Sequence, residues 1–344
     1  MIDTLKVYSH DFAIKDGANL IIQPNTIDYS TGDIQEVELF KDGFNRPVYG
    51  SKAYVNSDRY NLTIKGMPKG GVCLFLQMSM PKAYKGENYY PLSDGETQDT
   101  LIKVQDDLQD KGIGINLGKS KVSRLDVFKN ISASELFSSY VPVFQLLKAK
   151  RQLRRDYGTT FLWENTRREI CVYDKLIEME NRGIETHRYP ANSIRFEYRL
   201  KNSGVCAQEL KMETFSEVVN NLQDVRGIYQ GAMEKHLFGF DAEGINILTG
   251  SEFEKTLIQY EAKGGHSMQM YLRDFGAYHL YKLVGEDTAK AVISRVYGSN
   301  RMKAWRLVKL MDESKRNYEL LTETAEHKTL ADLYMELKGA VLNE

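Results

Sequence analysis

Short apolar runs alternate with polar positions along about the first 200 residues, and Gly, Asn and Asp stand at the joins between them. Alternation over four to eight residues is typical of β-strands with one buried face. Eight segments have this pattern: Leu5–Val7, Asn19–Ile22, Tyr60–Ile64, Val72–Met78, Ser123–Phe128, Thr159–Trp163, Ile170–Lys175 and Ile194–Leu200. With the two helical stretches that interrupt them, these strands predict an α+β or mixed α/β fold.

Two stretches in the same part of the chain have helical periodicity. The first is predicted over Thr97–Lys111. The second begins at Ser132-Ala133-Ser134-Glu135, which has the spacing of a capping box, and continues in an apolar stripe that ends at Leu147. Its C-terminal end is basic, with Lys148, Lys150, Arg151, Arg154 and Arg155. Two interpretations stay open: a solvated last turn that complements the helix dipole, and a contact with DNA phosphates.

The pattern becomes almost wholly helical from Gln208 to Leu342. Because 344 residues exceed a typical single domain, we predict two domains, residues 1–203 and 204–344. Asp287–Tyr297 and Met302–Ser314 would fit a helix-turn-helix with a basic second helix. A plain helical hairpin is the favoured alternative.

Composition and charge restrict the possible functions. A formal net charge of −1 means that any affinity for nucleic acid must come from local clusters of cations. Three cysteines, Cys73, Cys171 and Cys206, lack metal-ligand spacing and fit a reducing compartment. The sequence shows neither a signal peptide nor a long apolar segment. We therefore expect a cytoplasmic protein that does not associate with membranes.

Three of the predicted strands carry an unusual set of charged side chains. Because residues two apart on a strand point the same way, these side chains form same-face pairs. The pairs are Arg124 with Asp126, Tyr173 with Lys175, and Arg195 with Glu197. One face of the sheet is thus predicted to be apolar, and the other to gather carboxylates, cations and a phenol. Surface salt bridges are the ordinary explanation, and a catalytic site is the alternative.

Such a face could attack a phosphodiester. A tyrosine phenol has an ordinary pKa of about 10, so it needs a nearby cation or base to become a phenolate, and Lys175 is predicted to be placed for that. Asp126 and Glu197 could hold Mg²⁺ or Mn²⁺ against the scissile phosphate. Arg124 and Arg195 would contact flanking phosphates or brace the carboxylates.

The order of the motifs resembles that of the gene II replication proteins of filamentous phages, a group of rolling-circle initiators. The matching segments are Met1-Ile2-Asp3, Ser79-Met80-Pro81-Lys82, Gly86-Glu87-Asn88, Ser123-Arg124-Leu125-Asp126, Trp163-Glu164-Asn165-Thr166, Val172-Tyr173-Asp174-Lys175 with Glu178, and Arg195-Phe196-Glu197. Order and spacing agree from about residue 70 to residue 200. This run of ordered motifs is more specific than any one of them.

The resemblance implies an α+β fold whose central, mostly antiparallel sheet is flanked by helices and followed by a helical C-terminal region. It also implies a metal-dependent endonuclease that nicks one strand at an origin and later rejoins the displaced strand into a circle. Tyr173 would hold the 5′ phosphate, and the free 3′ hydroxyl would prime synthesis. Glu164 would join Asp126 and Glu197 at the metal, although the family has this carboxylate one position later.

The expected partners follow from the same reasoning. Lys82, Lys85 and the basic end of the second predicted helix would contact the DNA backbone. The chain has no P-loop with which to unwind DNA, so a helicase and a single-strand-binding protein of the bacterial host are expected partners. The alternatives are a plasmid mobilisation or transposition nickase with the same chemistry, a non-catalytic DNA-binding regulator of replication, and a purely structural module.

Overall fold

The fold is that of a computed structural model of the chain, which describes residues 1–15, 18, 20–23, 26–27, 34–35, 52–55, 57–67, 71–239, 258, 268–322 and 330–343. Contacts divide the chain into two compact units. The sheet unit contains Met1–Phe137, Leu147–Gly239 and Ala340–Glu344, and the helical unit contains Ser138–Leu146 and Phe240–Gly339. A functional division at residue 203 stays a prediction.

The strands, in chain order, are β1 (Ile2–Ser9), β2 (Phe12–Ile14), β3 (Ile21–Gln23), β4 (Thr26–Ile27), β5 (Ile34–Gln35), β6 (Lys52–Val55), β7 (Asn61–Gly66), β8 (Val72–Ser79), β9 (Ile113–Ile115), β10 (Lys121–Ser132), β11 (Leu153–Asp156), β12 (Thr160–Glu164), β13 (Arg168–Asp174) and β14 (Ser193–Leu200). All eight predicted strands overlap one of these. Asn19, in the predicted strand Asn19–Ile22, lies outside the described residues.

Ten of the strands form one sheet in the order β11-β12-β13-β14-β10-β1-β8-β7-β6-β3. Every neighbouring pair in it is antiparallel. Two small sheets, β2-β9 and β4-β5, complete the described strands. The predicted antiparallel α+β fold is therefore confirmed.

The helices are α1 (Met80–Lys85), α2 (Asp94–Asp110), α3 (Phe137–Leu146), α4 (Lys175–Glu180), α5 (Ser203–Leu210), α6 (Phe215–Asn220), α7 (Leu222–His236), α8 (Met268–Val284), α9 (Glu286–Val296), α10 (Arg301–Thr322) and α11 (Leu330–Leu342). Helix α2 begins three residues earlier than predicted, because Ser93 and Glu96 form a capping box. The predicted strand Ile170–Lys175 ends at Asp174, whose carboxylate caps α4.

The predicted capping box at Ser132–Glu135 is wrong. Ser132 is the last residue of β10, where it pairs with Ser193 of β14, and α3 begins only at Phe137. Helix α3 also ends at Leu146, so the cations that were predicted at its C-terminal end lie beyond it. Arg154 and Arg155 instead belong to the edge strand β11.

The apolar face of the large sheet is the core of the sheet unit. Leu5, Leu125, Ile170 and Phe196 come from four different strands, and none of them is exposed by more than about one part in a hundred. Helices α5 and α7 contact this part of the sheet, and the Tyr229 hydroxyl of α7 donates to the Phe196 carbonyl oxygen at 3.4 Å. Burial of each such side chain contributes about 1.5–3 kcal/mol, so this face fixes the strands that carry the polar residues opposite.

Ion pairs and hydrogen bonds join α8, α9 and α10 in the helical unit. Lys315 of α10 pairs with Glu286 of α9 at 2.8 Å, and the Tyr281 hydroxyl of α8 donates to Asp312 of α10 at 3.0 Å. Helices were predicted over Asp287–Tyr297 and Met302–Ser314; they correspond to α9 and α10, although α10 continues to Thr322. Parts of the predicted helical region lie outside the described residues. No helix within the described ranges is long and apolar enough to cross a membrane.

Candidate active site

One row of paired residues crosses three strands on the polar face of the sheet. Tyr173 of β13 pairs with Arg195 of β14, which pairs with Asn130 of β10. Directly paired residues project to the same side of an antiparallel sheet, and so do residues two apart on one strand. Glu197 therefore lies on the same face, one step along β14. The strands thus bring a phenol, a guanidinium and a carboxylate together.

A short hydrogen bond joins Tyr173 to Glu197. The phenol donates to Glu197 Oε1 at 2.6 Å, a length typical of a hydrogen bond to an ionised carboxylate. Tyr173 is half-buried, whereas the Glu197 side chain is 2% exposed. Burial, together with the negative charge of Glu197, raises the pKa of Tyr173 well above its usual value. The phenol is therefore protonated at neutral pH, and its proton points at the carboxylate.

Two arginines keep Glu197 ionised. Burial, the largest single influence, would raise the pKa of this carboxyl, but the charges of Arg199 and Arg195, together with the hydrogen bonds from Tyr173 and Arg199, lower it. Arg199 Nε donates to Glu197 Oε2 at 2.8 Å, and Arg195 Nη1 lies 3.8 Å from Oε1. Glu197 thus has the geometry and the charge of a base for the Tyr173 proton.

Arg195 is completely buried, and protein groups hold it from several sides. Its Nε donates to Asn130 Oδ1 at 2.7 Å, its Nη2 donates to the Asn88 carbonyl oxygen, and its Cζ lies 4.1 Å from the centre of the Phe128 ring. Of the two predicted roles, a contact with phosphate and a brace for the carboxylates, these contacts match the brace.

Asp3 completes this group, and the sequence pattern did not identify it. It is nine-tenths buried, and its Oδ1 lies 3.5 Å from Arg195 Nη1 without a hydrogen bond to any described residue. Burial, followed by the charge of Glu197, raises its pKa. The register of β1 and β10 shifts between Ile2 and Thr4, so alternation along β1 could not predict where Asp3 points. Its place in the first matching motif was the available signal.

Lys175 does not share a strand face with Tyr173, because β13 ends at Asp174 and Lys175 is the first residue of α4. Its ammonium is buried and donates to Glu178 Oε2 at 2.7 Å and to Asn88 Oδ1 at 3.1 Å. Burial, with the charge of Arg195, lowers its pKa. Lys175 therefore contacts α4 and the segment after α1. None of its described contacts is with the Tyr173 phenol, so they do not support its predicted action there.

Asp126 lies on the same face, but Arg124 takes up both of its oxygens. Arg124 Nε donates to Oδ1 at 2.9 Å and Arg124 Nη2 donates to Oδ2 at 2.8 Å. Burial raises the pKa of Asp126 to about 6, although Arg124 opposes this change. Arg124 thus contacts Asp126 through two hydrogen bonds, and its predicted roles, a phosphate contact or a brace for the carboxylates, stay predictions.

Glu164 is remote from the other two predicted metal ligands. It pairs with Glu169, which pairs with Arg199, which pairs with Asp126, so three strand spacings, about 14 Å, separate the backbones of Glu164 and Asp126. Its carboxylate instead meets Arg155 at 2.8 Å and Lys201 at 3.3 Å.

The described carboxylates do not fit a divalent cation in this arrangement. Asp126, Glu197 and Glu164 are each paired with cationic side chains, and these would have to leave before a metal could bind. Within the described ranges, no group of three His, Cys, Asp or Glu residues is arranged to hold a metal ion.

Arg199 is a second residue that the sequence analysis missed. Its Nη1 pairs with Glu169, its Nη2 pairs with Glu197, and its Nε lies 4.0 Å from Asp126 Oδ2. It therefore links acidic side chains from three neighbouring strands. Alternation could have found it, because Arg199 follows Arg195 and Glu197 at the same two-residue spacing on β14.

The cations predicted to bind the DNA backbone lie on the surface of the sheet unit. All seven are exposed: Lys82, Lys85, Lys148, Lys150, Arg151, Arg154 and Arg155. Among them, Lys85 pairs with Glu96 at 3.0 Å, and Arg155 pairs with Glu164. Their role in DNA binding stays a prediction.

Comparison with protein families gives a match over most of the chain. The family described as the N-terminal part of the phage replication-associated gene II protein matches residues 1–221. The match therefore includes the fourteen strands that the structure describes and every residue of the candidate site. No curated protein matches the chain.

Proposed function

The chain belongs to the family of phage replication-associated gene II proteins, which supports a role as a rolling-circle replication initiator, and we propose that Tyr173 nicks one DNA strand at an origin. The observation that carries this proposal is the 2.6 Å hydrogen bond from the Tyr173 phenol to Glu197. Tyrosine is a weak nucleophile while it is protonated, so a base within hydrogen-bonding distance is the feature that nicking requires.

In the proposed reaction, the phenolic oxygen of Tyr173 attacks a DNA phosphorus and its proton passes to Glu197 Oε1. The bond from phosphorus to the 3′ oxygen breaks, and that oxygen takes a proton from water to become a 3′ hydroxyl. The 5′ phosphate stays on Tyr173 as a phosphodiester, so the energy of the broken bond is conserved. Glu197, whose pKa is lowered, then passes its proton to water, which balances the proton that the 3′ oxygen took from water. In the joining reaction, a 3′ hydroxyl attacks this phosphotyrosine and gives its proton to water, and the departing Tyr173 oxygen takes a proton from water.

The two pKa values decide the timing of proton transfer. Ordinary values for Tyr and Glu differ by about 6, which corresponds to about 8 kcal/mol, and the protein widens this gap. A free phenolate is therefore too costly as an intermediate. The proton must move while the bond to phosphorus forms, which is general base catalysis and contributes about 10²–10⁴-fold.

The expected partners stay the same. DNA, as an origin duplex and as a single strand, would approach the polar face past the exposed cations of β11 and α1. A helicase and a single-strand-binding protein of the bacterial host would open and cover the displaced strand. The family resemblance implies Mg²⁺ or Mn²⁺, although the described carboxylates are paired with cationic side chains. Formation of the DNA adduct in the presence of EDTA tests the metal requirement separately.

The experiment uses single-stranded oligonucleotides that tile the origin region, incubated with the full chain and then denatured. We expect a protein–DNA species that survives denaturation. Tyr173→Phe should remove it and leave DNA binding intact, because only the reacting oxygen is lost. Tyr157→Phe, at an exposed tyrosine beyond the end of β11, is the matched control and should retain it. A non-catalytic DNA-binding protein would form no adduct, and an adduct that persists in Tyr173→Phe would disprove the assignment.

A further inference from the structure

A cavity of about 620 Å³ opens in the sheet unit near the C-terminal end of β10. Phe128 and Asn130 line it from the polar face of the sheet. Asn130 belongs to the row that contains Tyr173, and two strand spacings put the backbones of these two residues about 10 Å apart. A strand held at Tyr173 covers that distance in about three phosphate steps of B-form geometry. The cavity is thus within reach of the bound DNA.

Aromatic rings provide much of the apolar lining. Tyr89 and Tyr90 stand edge to face with their ring centres 4.8 Å apart, and Tyr90 is 46% exposed at the rim. Phe128 and Tyr229 lie further inside and are buried. Stacking of a base on an aromatic side chain of this kind contributes about 1–3 kcal/mol.

Polar groups at the wall formed by α7 suit the edge of a base. Gln223 Oε1 accepts from Arg226 at 2.7 Å, and Gln230 Nε2 donates to the Leu342 carbonyl oxygen at 3.1 Å. The Gln223 amide nitrogen, a donor, and the Gln230 amide oxygen, an acceptor, make no hydrogen bond to another described residue. The guanidinium of Arg226 pairs with Asp94, so an uncharged ligand suits this wall better than a phosphate.

From these features we infer that the cavity binds one unstacked nucleobase of the strand that Tyr173 attacks. The exposed Tyr90 ring would stack on one face of the base, the buried rings would complete the apolar lining, and the Gln223 and Gln230 amides would bind its edge, as in enzymes that take a base out of its stack. This inference rests on the proposed function, because it takes the bound strand to be the one that is nicked. It adds a site at which origin sequence is read within a few nucleotides of the cleaved bond.

The cavity also shares a wall with the candidate active site. Asn130 accepts from Arg195 Nε and its amide donates to the Tyr89 carbonyl oxygen, while the Phe128 ring packs against the same guanidinium. A base in the cavity would therefore rest on the residues that hold Arg195 beside Glu197. Binding of the correct base and alignment of Glu197 are linked through Arg195.

The test is photo-crosslinking of the full chain to random-sequence single strands of about 16 nucleotides in which 5-iodouracil replaces thymine. The crosslinked peptides are then identified by mass spectrometry. We expect crosslinks at the exposed Tyr90 and the peptide that contains it. Ser132→Phe places a ring at an exposed position of the cavity rim, and Tyr90→Ala removes a stacking surface. Tyr90→Ala should lower the crosslink yield at the cavity peptides by about tenfold, the effect of about 1.4 kcal/mol of lost stacking, and Ser132→Phe should lower it by filling the space at the rim.

Tyr297→Ala, in the helical unit and outside the cavity lining, is the control and should leave the yield at the cavity peptides unchanged. Crosslinks confined to other peptides, a yield that neither cavity variant changes, or no crosslink at all would overturn the inference. Crosslinking needs no cleavage, so Tyr173→Phe should give the same map. The proposed function is tested by a different result: it is wrong if the unmodified chain forms no DNA adduct, whatever the crosslinking map shows.

Discussion

Two buried acids on the polar face look alike but have different partners. Glu197 of β14 lies at the end of this face that contains Tyr173, and Asp126 of the neighbouring strand β10 lies at the end that contains Arg124. Glu197 and Asp126 are both nearly fully buried, and both lie within 4.0 Å of Arg199. At the first end, Glu197 accepts a hydrogen bond from the Tyr173 phenol, and two arginines lower the pKa of Glu197. At the other end Arg124 takes up both oxygens of Asp126, and burial raises its pKa to about 6.

This comparison shows that the partner of a buried acid determines its role more than its burial does. Glu197 is ionised, and the group it contacts, Tyr173, is able to react. Asp126 contacts only cations among its described hydrogen-bond and ion-pair partners. We therefore propose that Glu197 takes part in the reaction and that Asp126 supports the sheet.

The strongest way to break this comparison is to remove the base. In Glu197→Gln the amide keeps the shape of the side chain but cannot take the Tyr173 proton. We expect the rate of adduct formation to fall by about 10²–10⁴-fold with DNA binding unchanged, measured by single-turnover cleavage of an oligonucleotide. Asp126→Asn is the matched control and should stay within about tenfold of the unmodified chain. Equal losses in the two variants would show that the two ends do not differ in function.

The pH dependence of stability sharpens the comparison at the other end. The pKa of Asp126 is about 6 in the folded chain and about 3.9 when unfolded, so the folded state binds this proton more tightly. The stabilisation is fully present below about pH 4 and is lost as pH rises through about 6. Its size is on the order of 3 kcal/mol.

Asp126→Asn should remove that contribution. Urea unfolding at pH 4 and at pH 7 should show that the stability advantage of the unmodified chain over the variant is smaller at the higher pH. The same measurement on Glu164→Gln controls for general effects of losing an acid. An advantage that grows with pH would mean that Arg124 lowers the pKa of Asp126 more than burial raises it.

The smallest effect on the rate of adduct formation is expected at Glu164, which lies on β12, away from both Glu197 and Asp126. Its partners Arg155 and Lys201 are 51% and 31% exposed, and such pairs contribute about 0–1 kcal/mol. Glu164→Gln should therefore change the rate of adduct formation by less than about threefold. A loss as large as that in Glu197→Gln would instead support its predicted role as a metal ligand.

Alternation along strands predicted the sheet and its two faces well. It placed Arg124 with Asp126 and Arg195 with Glu197, because β10 and β14 are long and regular through these residues. It was wrong for Lys175, since the side chain of Asp174 caps a helix at that point. A cap depends on one side chain, and in the sequence Asp174 also fits a strand that continues by one more residue.

The partners of the charged residues could not be predicted from the sequence. Arg195 meets Asn88, Asp3 and Asn130, which lie 107, 192 and 65 positions away along the chain. Only the order of strands in the sheet brings these segments together. For the same reason the sequence suggested a metal between Asp126 and Glu197, where the structure has arginines beside each carboxylate.

Identifying the residue that carries DNA is the most direct test. The denaturation-resistant adduct is digested with protease and nuclease, and the peptide that retains a nucleotide is sequenced by mass spectrometry. We predict a single modified peptide that contains Tyr173, with the nucleotide attached through its 5′ phosphate. A nucleotide on any other tyrosine, or attachment through a 3′ phosphate, would contradict the role given to Tyr173.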